Sequence, residues 1–210
     1  MAVSKNGIQG TFSGKIGSIV GYQLNGQNVI RTVGRRAPSQ KFSELELINQ
    51  GRMRAVSSFL KMIRPFIVFG YQHLAPKGSR VGPFQMAQSY ALKNAIKYGE
   101  GNKPLIDPEK VLVFRGDLLP PQNVKVSLTD TRVTITWDVQ NRMGNNVLIA
   151  LLYDGHDYRQ FREVGSLESI GMDIWDLPWI PKDGRAIYVY VGFHNTLINK
   201  LSDSVYGGTI

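Results

Sequence analysis

Two hydrophobic rhythms divide this chain. Leu45, Ile48, Val56, Phe59, Leu60 and Ile63 recur at helical spacing and predict an amphipathic helix. Ser43 and Glu46 fit a capping box at its start, where each side chain satisfies a backbone donor that the first turn leaves unpaired. Pro65 marks its end or a kink, because the ring removes a donor and crowds the preceding turn. Arg52, Arg54, Lys61 and Arg64 give this helix a basic exposed side. A second helix is expected from about Pro83 to Tyr98, with Phe84, Ala87, Tyr90, Ala91 and Ala95 inward and Gly99 past its end. Between the two lies a basic loop, Pro76-Lys77-Gly78-Ser79-Arg80.

The second rhythm has a period of two. Val124, Val126 and Leu128 alternate with polar residues, and Val133, Ile135 and Trp137 follow the turn Thr129-Asp130-Thr131. Val147–Tyr153 is apolar throughout, and Ile187, Val189, Val191 and Phe193 alternate with Tyr188 and Tyr190. Short strands separated by turns predict a β-sandwich. Ahead of the helices, Ile16–Leu24 and Gln27–Val33 flank Asn25-Gly26, a dipeptide that tolerates the positive φ angles of a tight hairpin turn. Lys110–Arg115 looks like a strand, and Leu118-Leu119-Pro120-Pro121 like a rigid linker. The expected fold is α+β. A hairpin-and-helix domain over 1–118 precedes an all-β sandwich of immunoglobulin or fibronectin III type over 119–210.

Charge follows the same division. Residues 1–120 hold 17 Lys/Arg against 6 Asp/Glu, and 121–210 hold 8 against 10, so the formal net charge of +9 belongs to the first part. No acidic residue precedes Glu44. One module therefore faces something acidic. With no cysteine among 210 residues, disulfides and thiolate chemistry are excluded. Met1–Gly7 has no apolar core of a secretion signal, and the longest apolar runs are too short to span a bilayer. A soluble, cytoplasmic protein without membrane insertion is expected, or a component packaged into a virion or other particle.

Two resemblances attach to particular residues. Pro120-Pro121-Gln122-Asn123-Val124, Val133-Thr134-Ile135-Thr136-Trp137, Tyr188-Val189-Tyr190-Val191 and Ser202-Asp203-Ser204-Val205-Tyr206 together resemble a fibronectin type III-like module. Gly14-Lys15-Ile16-Gly17-Ser18-Ile19-Val20-Gly21, Asn28-Val29-Ile30-Arg31 and Ser89-Tyr90-Ala91-Leu92-Lys93-Asn94-Ala95 resemble a family of uncharacterised proteins common in Bacteroidetes-type bacteria. So do Val111–Leu118 and the closing Ser204-Val205-Tyr206-Gly207-Gly208. That resemblance spans the whole chain and implies no activity, cofactor or catalytic residue.

Candidate chemistry is sparse. Gly10-Thr11-Phe12-Ser13-Gly14-Lys15-Ile16 has three residues between its glycines and Ile after Lys, where a phosphate-binding loop needs four residues and then Ser or Thr. Asp154-Gly155-His156-Asp157 reads as a polar turn, with a weak metal site as its alternative. Ser58-Phe59-Leu60-Lys61 spells Ser-x-x-Lys without its companion motifs, and Arg115-Gly116-Asp117 spells an adhesion tripeptide where a structural turn is expected. Trp175 and Trp179, beside Asp173 and Asp176, could stack on a sugar or close one end of the sandwich.

No catalytic, cofactor or metal residue is predicted. The expected role is that of a non-enzymatic structural protein. It would contact protein subunits, in a homo-oligomer or larger assembly, through Lys15, Arg31, Arg35, Arg36, Lys41, Arg52, Arg54, Lys61 and Arg64. The same cations fit non-specific nucleic-acid binding as the alternative. A carbohydrate-binding sandwich using Trp175 and Trp179 is the lesser one.

Overall fold

The computed structural model describes residues 3–4, 10, 12–24, 26–34, 41–74, 81–140, 144–181 and 184–210. The chain is α+β. It opens with a four-stranded antiparallel meander of β1 (Val3–Ser4), β2 (Phe12–Ile16), β3 (Ile19–Leu24) and β4 (Gln27–Thr32). The hairpin expected around residues 25 and 26 is present, with Leu24 opposite Gln27 and Gly26 at φ +85°. Asn25 lies outside the described residues. The strand expected from Ile16 to Leu24 is two strands. Gly17, at φ +55°, turns the chain after Ile16, and the Val33 amide closes on the Ser18 carbonyl at 2.8 Å.

Three helices follow: α1 (Glu44–Met62), α2 (Arg64–Gly70) and α3 (Pro83–Asn94). Ser43 and Glu46 form the reciprocal capping box, and Pro65 sits in the first turn of α2 rather than inside α1. Val56, Phe59, Leu60, Ile63 and Ile67 form the buried stripe, and Ala87, Ala91 and Ala95 line the inner side of α3. The second helix stops four residues earlier than its pattern suggests. Ile96–Tyr98 is instead β5, paired with β6 (Pro104–Ile106), and Gly99 belongs to that hairpin.

The remaining strands are β7 (Gln122–Thr129), β8 (Arg132–Asp138), β9 (Asn146–Tyr153), β10 (Arg159–Arg162), β11 (Met172–Asp176), β12 (Tyr188–Asn195), β13 (Lys200–Leu201) and β14 (Val205–Thr209). They build a three-stranded sheet in the order β11-β8-β7 and a five-stranded sheet in the order β10-β9-β12, with β13 and β14 both on β12. Register explains the core. Leu148, Ala150 and Leu152 of β9 lie beside Phe193, Val191 and Val189 of β12, and these six face Val133, Ile135 and Trp137 of β8. Ile149, Leu151 and Tyr153, with Tyr190, point the other way into the helices. A strand covered on both faces must be apolar at every position, which is why Leu148–Tyr153 has no alternation.

Tyrosine hydroxyls tie the layers together. Tyr153 donates to the Phe59 carbonyl at 2.9 Å, one of the acceptors that the last turn of α1 leaves without a helical partner. Tyr190 donates to Pro108 at 2.8 Å, and Tyr71 to Leu112 at 3.1 Å. Burial raises the pKa of all three phenols above their usual value of 10.

The strand expected over Lys110–Arg115 is not one. After a 3-10 turn at Pro108–Lys110 the chain is extended and buried between α2 and the end of the five-stranded sheet. Its partners there are irregular: the Val113 amide donates to Ser204 Oγ, Arg115 to the Gly70 carbonyl, and Leu118 to the Leu201 carbonyl.

Candidate functional site

The cations singled out in the sequence stand on several elements. Lys15 and Arg31 do come together, since both oppose Val20 in the register and share one face of the N-terminal sheet. The Arg31 guanidinium lies 5.9 Å from the centre of the Tyr22 ring. Arg35 and Arg36 lie outside the described residues. Lys41 is exposed just ahead of the α1 cap, and Arg54 and Lys61 are exposed on α1. Arg64 opens α2, 5.2 Å from the Phe84 ring centre.

Arg52 departs from the expected basic exposed side. It is half-buried, and its Nη2 donates to the Leu92 carbonyl in the last turn of α3 at 2.8 Å. That bond joins two helices by satisfying an orphan acceptor.

Trp175 and Trp179 differ in exposure. Trp175 is only 8% exposed and belongs to the core between the sheets, because the period of β11 turns it inward with Asp173. Trp179 is 55% exposed; its carbonyl accepts from Tyr158 and its ring meets the Tyr158 ring edge-on at 4.9 Å. The neighbouring acids are engaged too. Asp173 is buried against Arg162, with Nε to Oδ2 at 2.6 Å, and also accepts from the Ser166 amide and hydroxyl. Asp176 pairs with Arg132 at 2.7 Å.

The short motifs resolve into structure. Asp154 caps the β9–β10 turn by accepting from the His156 and Tyr158 amides at 2.8 and 3.1 Å, and Arg185 bridges Asp154 and Asp157 at 2.7 Å each. The Arg185 hydrogen bond holds Asp157 below the usual carboxylate range. Among the described residues no group of three or more His, Asp or Glu is placed to hold a metal ion. Ser58 donates to the Ala55 carbonyl of its own helix. Gly14 and Lys15 lie inside β2, so no helix N-terminus follows them to receive a phosphate. In Arg115-Gly116-Asp117, the Gly116 amide donates to Asp203 at 3.1 Å and Asp117 lies 3.9 Å from Lys200.

Two of the open grooves gather polar and charged side chains beside apolar ones. One, of about 350 Å³, has Phe59, Ile106 and Tyr188 on its floor and Ser58, Lys97 and His156 at its rim. Asp154 also lines it, with its carboxylate held by the turn amides and Arg185. The other, of about 510 Å³, runs along α3 and brings Lys93 and Arg115 together. Nothing in the sequence pattern joins those two residues; the extended segment after Val111 does.

Among the described residues no helix is long and apolar enough to cross a membrane. No curated protein and no solved structure matches the chain. A family model does match, over residues 11–208, and the chain belongs to that family of unknown function, DUF6266.

Proposed function

We propose that this protein is a non-enzymatic assembly protein. Its N-terminal sheet and the front half of α1 dock on neighbouring subunits of a virion-like or other multi-subunit particle. One observation carries the reading: among the described residues, none before Val56 enters either buried core. Ile16 and Ile30 stay 52% and 62% exposed on one face of the sheet, and Phe42, Leu45 and Leu47 are exposed at the start of α1. A sheet with apolar residues and no covering layer is marginal alone, and a second copy supplies the missing layer.

Charge favours that occupant. Residues 1–55 carry 8 Lys/Arg and 2 Asp/Glu, whereas 121–210 carry a small acidic excess. A contact between unlike ends of two copies would propagate into rings or filaments.

The β-rich body fits a fibronectin type III-like module as its display or second contact element. Strands one, two and five of that body share one sheet, and strands three, four, six, seven and eight share the other. A constant-type immunoglobulin domain instead keeps its fourth strand in the first sheet.

Light scattering across a concentration series tests the assembly reading. Masses above the protomer are expected, reduced by Ile30→Lys or Leu45→Lys and by salt. A monomer at every concentration sinks it. The row of Lys15 and Arg31 favours a second reading, contact with a nucleic-acid backbone. Absence of a mobility shift at low salt, where phosphate contacts are strongest, removes that one.

A further inference from the structure

The groove along α3 has a chemistry that assembly does not use. We propose that it binds a small anionic ligand, one with a phosphate or carboxylate head on an apolar body. The groove encloses about 510 Å³, within the usual range for small-molecule sites. Lys93 and Arg115 supply its charge, Ser89 a hydroxyl, and Met86 and Val81 an apolar side.

Arg115 is held ready. Its amide donates to the Gly70 carbonyl at 3.0 Å, and the next amide, of Gly116, donates to Asp203. Gly116 packs so closely that a Cβ there would lie 2.0 Å from the Leu201 carbonyl oxygen. The guanidinium rests 5.6 Å from the Tyr90 ring centre, at the groove. With its backbone fixed in advance and a ring beside its guanidinium, Arg115 loses less freedom when a ligand arrives than a free surface cation would.

It also lacks a counter-ion. Among the described residues neither Arg115 nor Lys93 has a carboxylate within ion-pair distance. The acids closest in sequence and in bonding are engaged elsewhere, Asp117 with Lys200 and Asp203 with the Gly116 amide. Two uncompensated cations beside an apolar wall favour an anion that is only partly polar, because the head gains charge-assisted hydrogen bonds while the body leaves water.

Amide NMR titration of the full chain with phenyl phosphate, hexanoate and inorganic phosphate tests this. Phenyl phosphate, hexanoate or both should give saturable shifts at Ser89–Asn94 and Arg115–Gly116, with a Kd on the order of 1 mM or tighter. Whichever binds identifies the head. Inorganic phosphate should bind about tenfold more weakly, for want of apolar burial. Arg115→Gln and Lys93→Gln should each weaken binding about tenfold, as expected for a lost charge-assisted bond. Lys93 is exposed, so its variant tests the site without threatening the fold. No saturable shift, or shifts that survive both substitutions, overturns the proposal. Equal affinity for inorganic phosphate overturns the apolar body.

Discussion

Leu45 and Leu60 stand on the same helix, four turns apart, in opposite circumstances. Leu60 is fully buried between helix and sheet, whereas Leu45 is 73% exposed. The contrast extends to whole regions. From Val56 onward the chain builds three layers, with helices on one face of the five-stranded sheet and the three-stranded sheet on the other. Before Val56 it builds strands and the capped front of α1, with correct register and correct caps, and among the described residues none of them enters a core. Local hydrogen bonding is thus satisfied in both regions, but apolar burial in only one. Since burial supplies most of the free energy that holds a domain together, the two regions should answer the same substitution differently.

The strongest test uses one helix and one substitution. Leu60→Ala should lower unfolding stability in urea by about 2–5 kcal/mol, the cost of a core cavity. Leu45→Ala should change it by less than about 0.5 kcal/mol in the dispersed protomer. A large loss at Leu45 would mean that the front of α1 is covered after all, and concentration dependence of that loss would name the cover as another copy.

The elements that sequence alone predicted are those fixed by neighbours in the chain. The capping box at Ser43 and the turn between Leu24 and Gln27 rest on contacts within a few residues, and the alternation of Val133, Ile135 and Trp137 follows from the strand's own period. What escaped was set at a distance. Ile96–Tyr98 has helical spacing, yet pairing with Pro104–Ile106 takes it as a strand. Arg52 looks like a surface cation until α3 brings the Leu92 carbonyl to it. Trp175 was legible: a strand over Met172–Asp176 places it on one face with Asp173, and a buried carboxylate there needs the Arg162 partner it has. The groove was not legible, because Lys93 and Arg115 meet only through the path of residues 111–115.

Glycines sharpen the comparison at a smaller scale. Gly116→Ala drives a methyl group against the Leu201 carbonyl and should cost about 1–3 kcal/mol in the same urea assay. Gly17→Ala meets no neighbouring atom but strains a backbone at φ +55°. Its cost, about 1 kcal/mol, should fall on the N-terminal turn and leave the global transition unmoved. Equal shifts in global stability would mean that both regions unfold as one unit.

Alkali should separate the regions as well. Burial pushes the Tyr158 phenol up to about 12, so the folded protein keeps a proton that the unfolded chain loses near 10. The stability tied to that neutral phenol is complete below pH 10 and is lost as pH climbs towards the folded value. The slope for one phenol is about 1.4 kcal/mol per pH unit, and Tyr71, Tyr153 and Tyr190 add to it in the same direction. A melting temperature that falls steeply above pH 10 is expected, and Tyr158→Phe should flatten it.

The smallest effect is the most local. Ser43→Ala removes the hydroxyl that accepts from the Glu46 amide at 3.3 Å, in the uncovered part of α1. A lost N-cap costs about 1 kcal/mol of helix stability. If the front of α1 opens independently of the core, that cost appears as faster amide exchange at Glu46 and Leu47, with exchange at Leu60 unchanged. A matching drop in global stability would instead tie residues 43–50 to the body as firmly as the Arg52–Leu92 bond ties the turn that follows them, and the boundary drawn at Val56 would have to move forward along the chain.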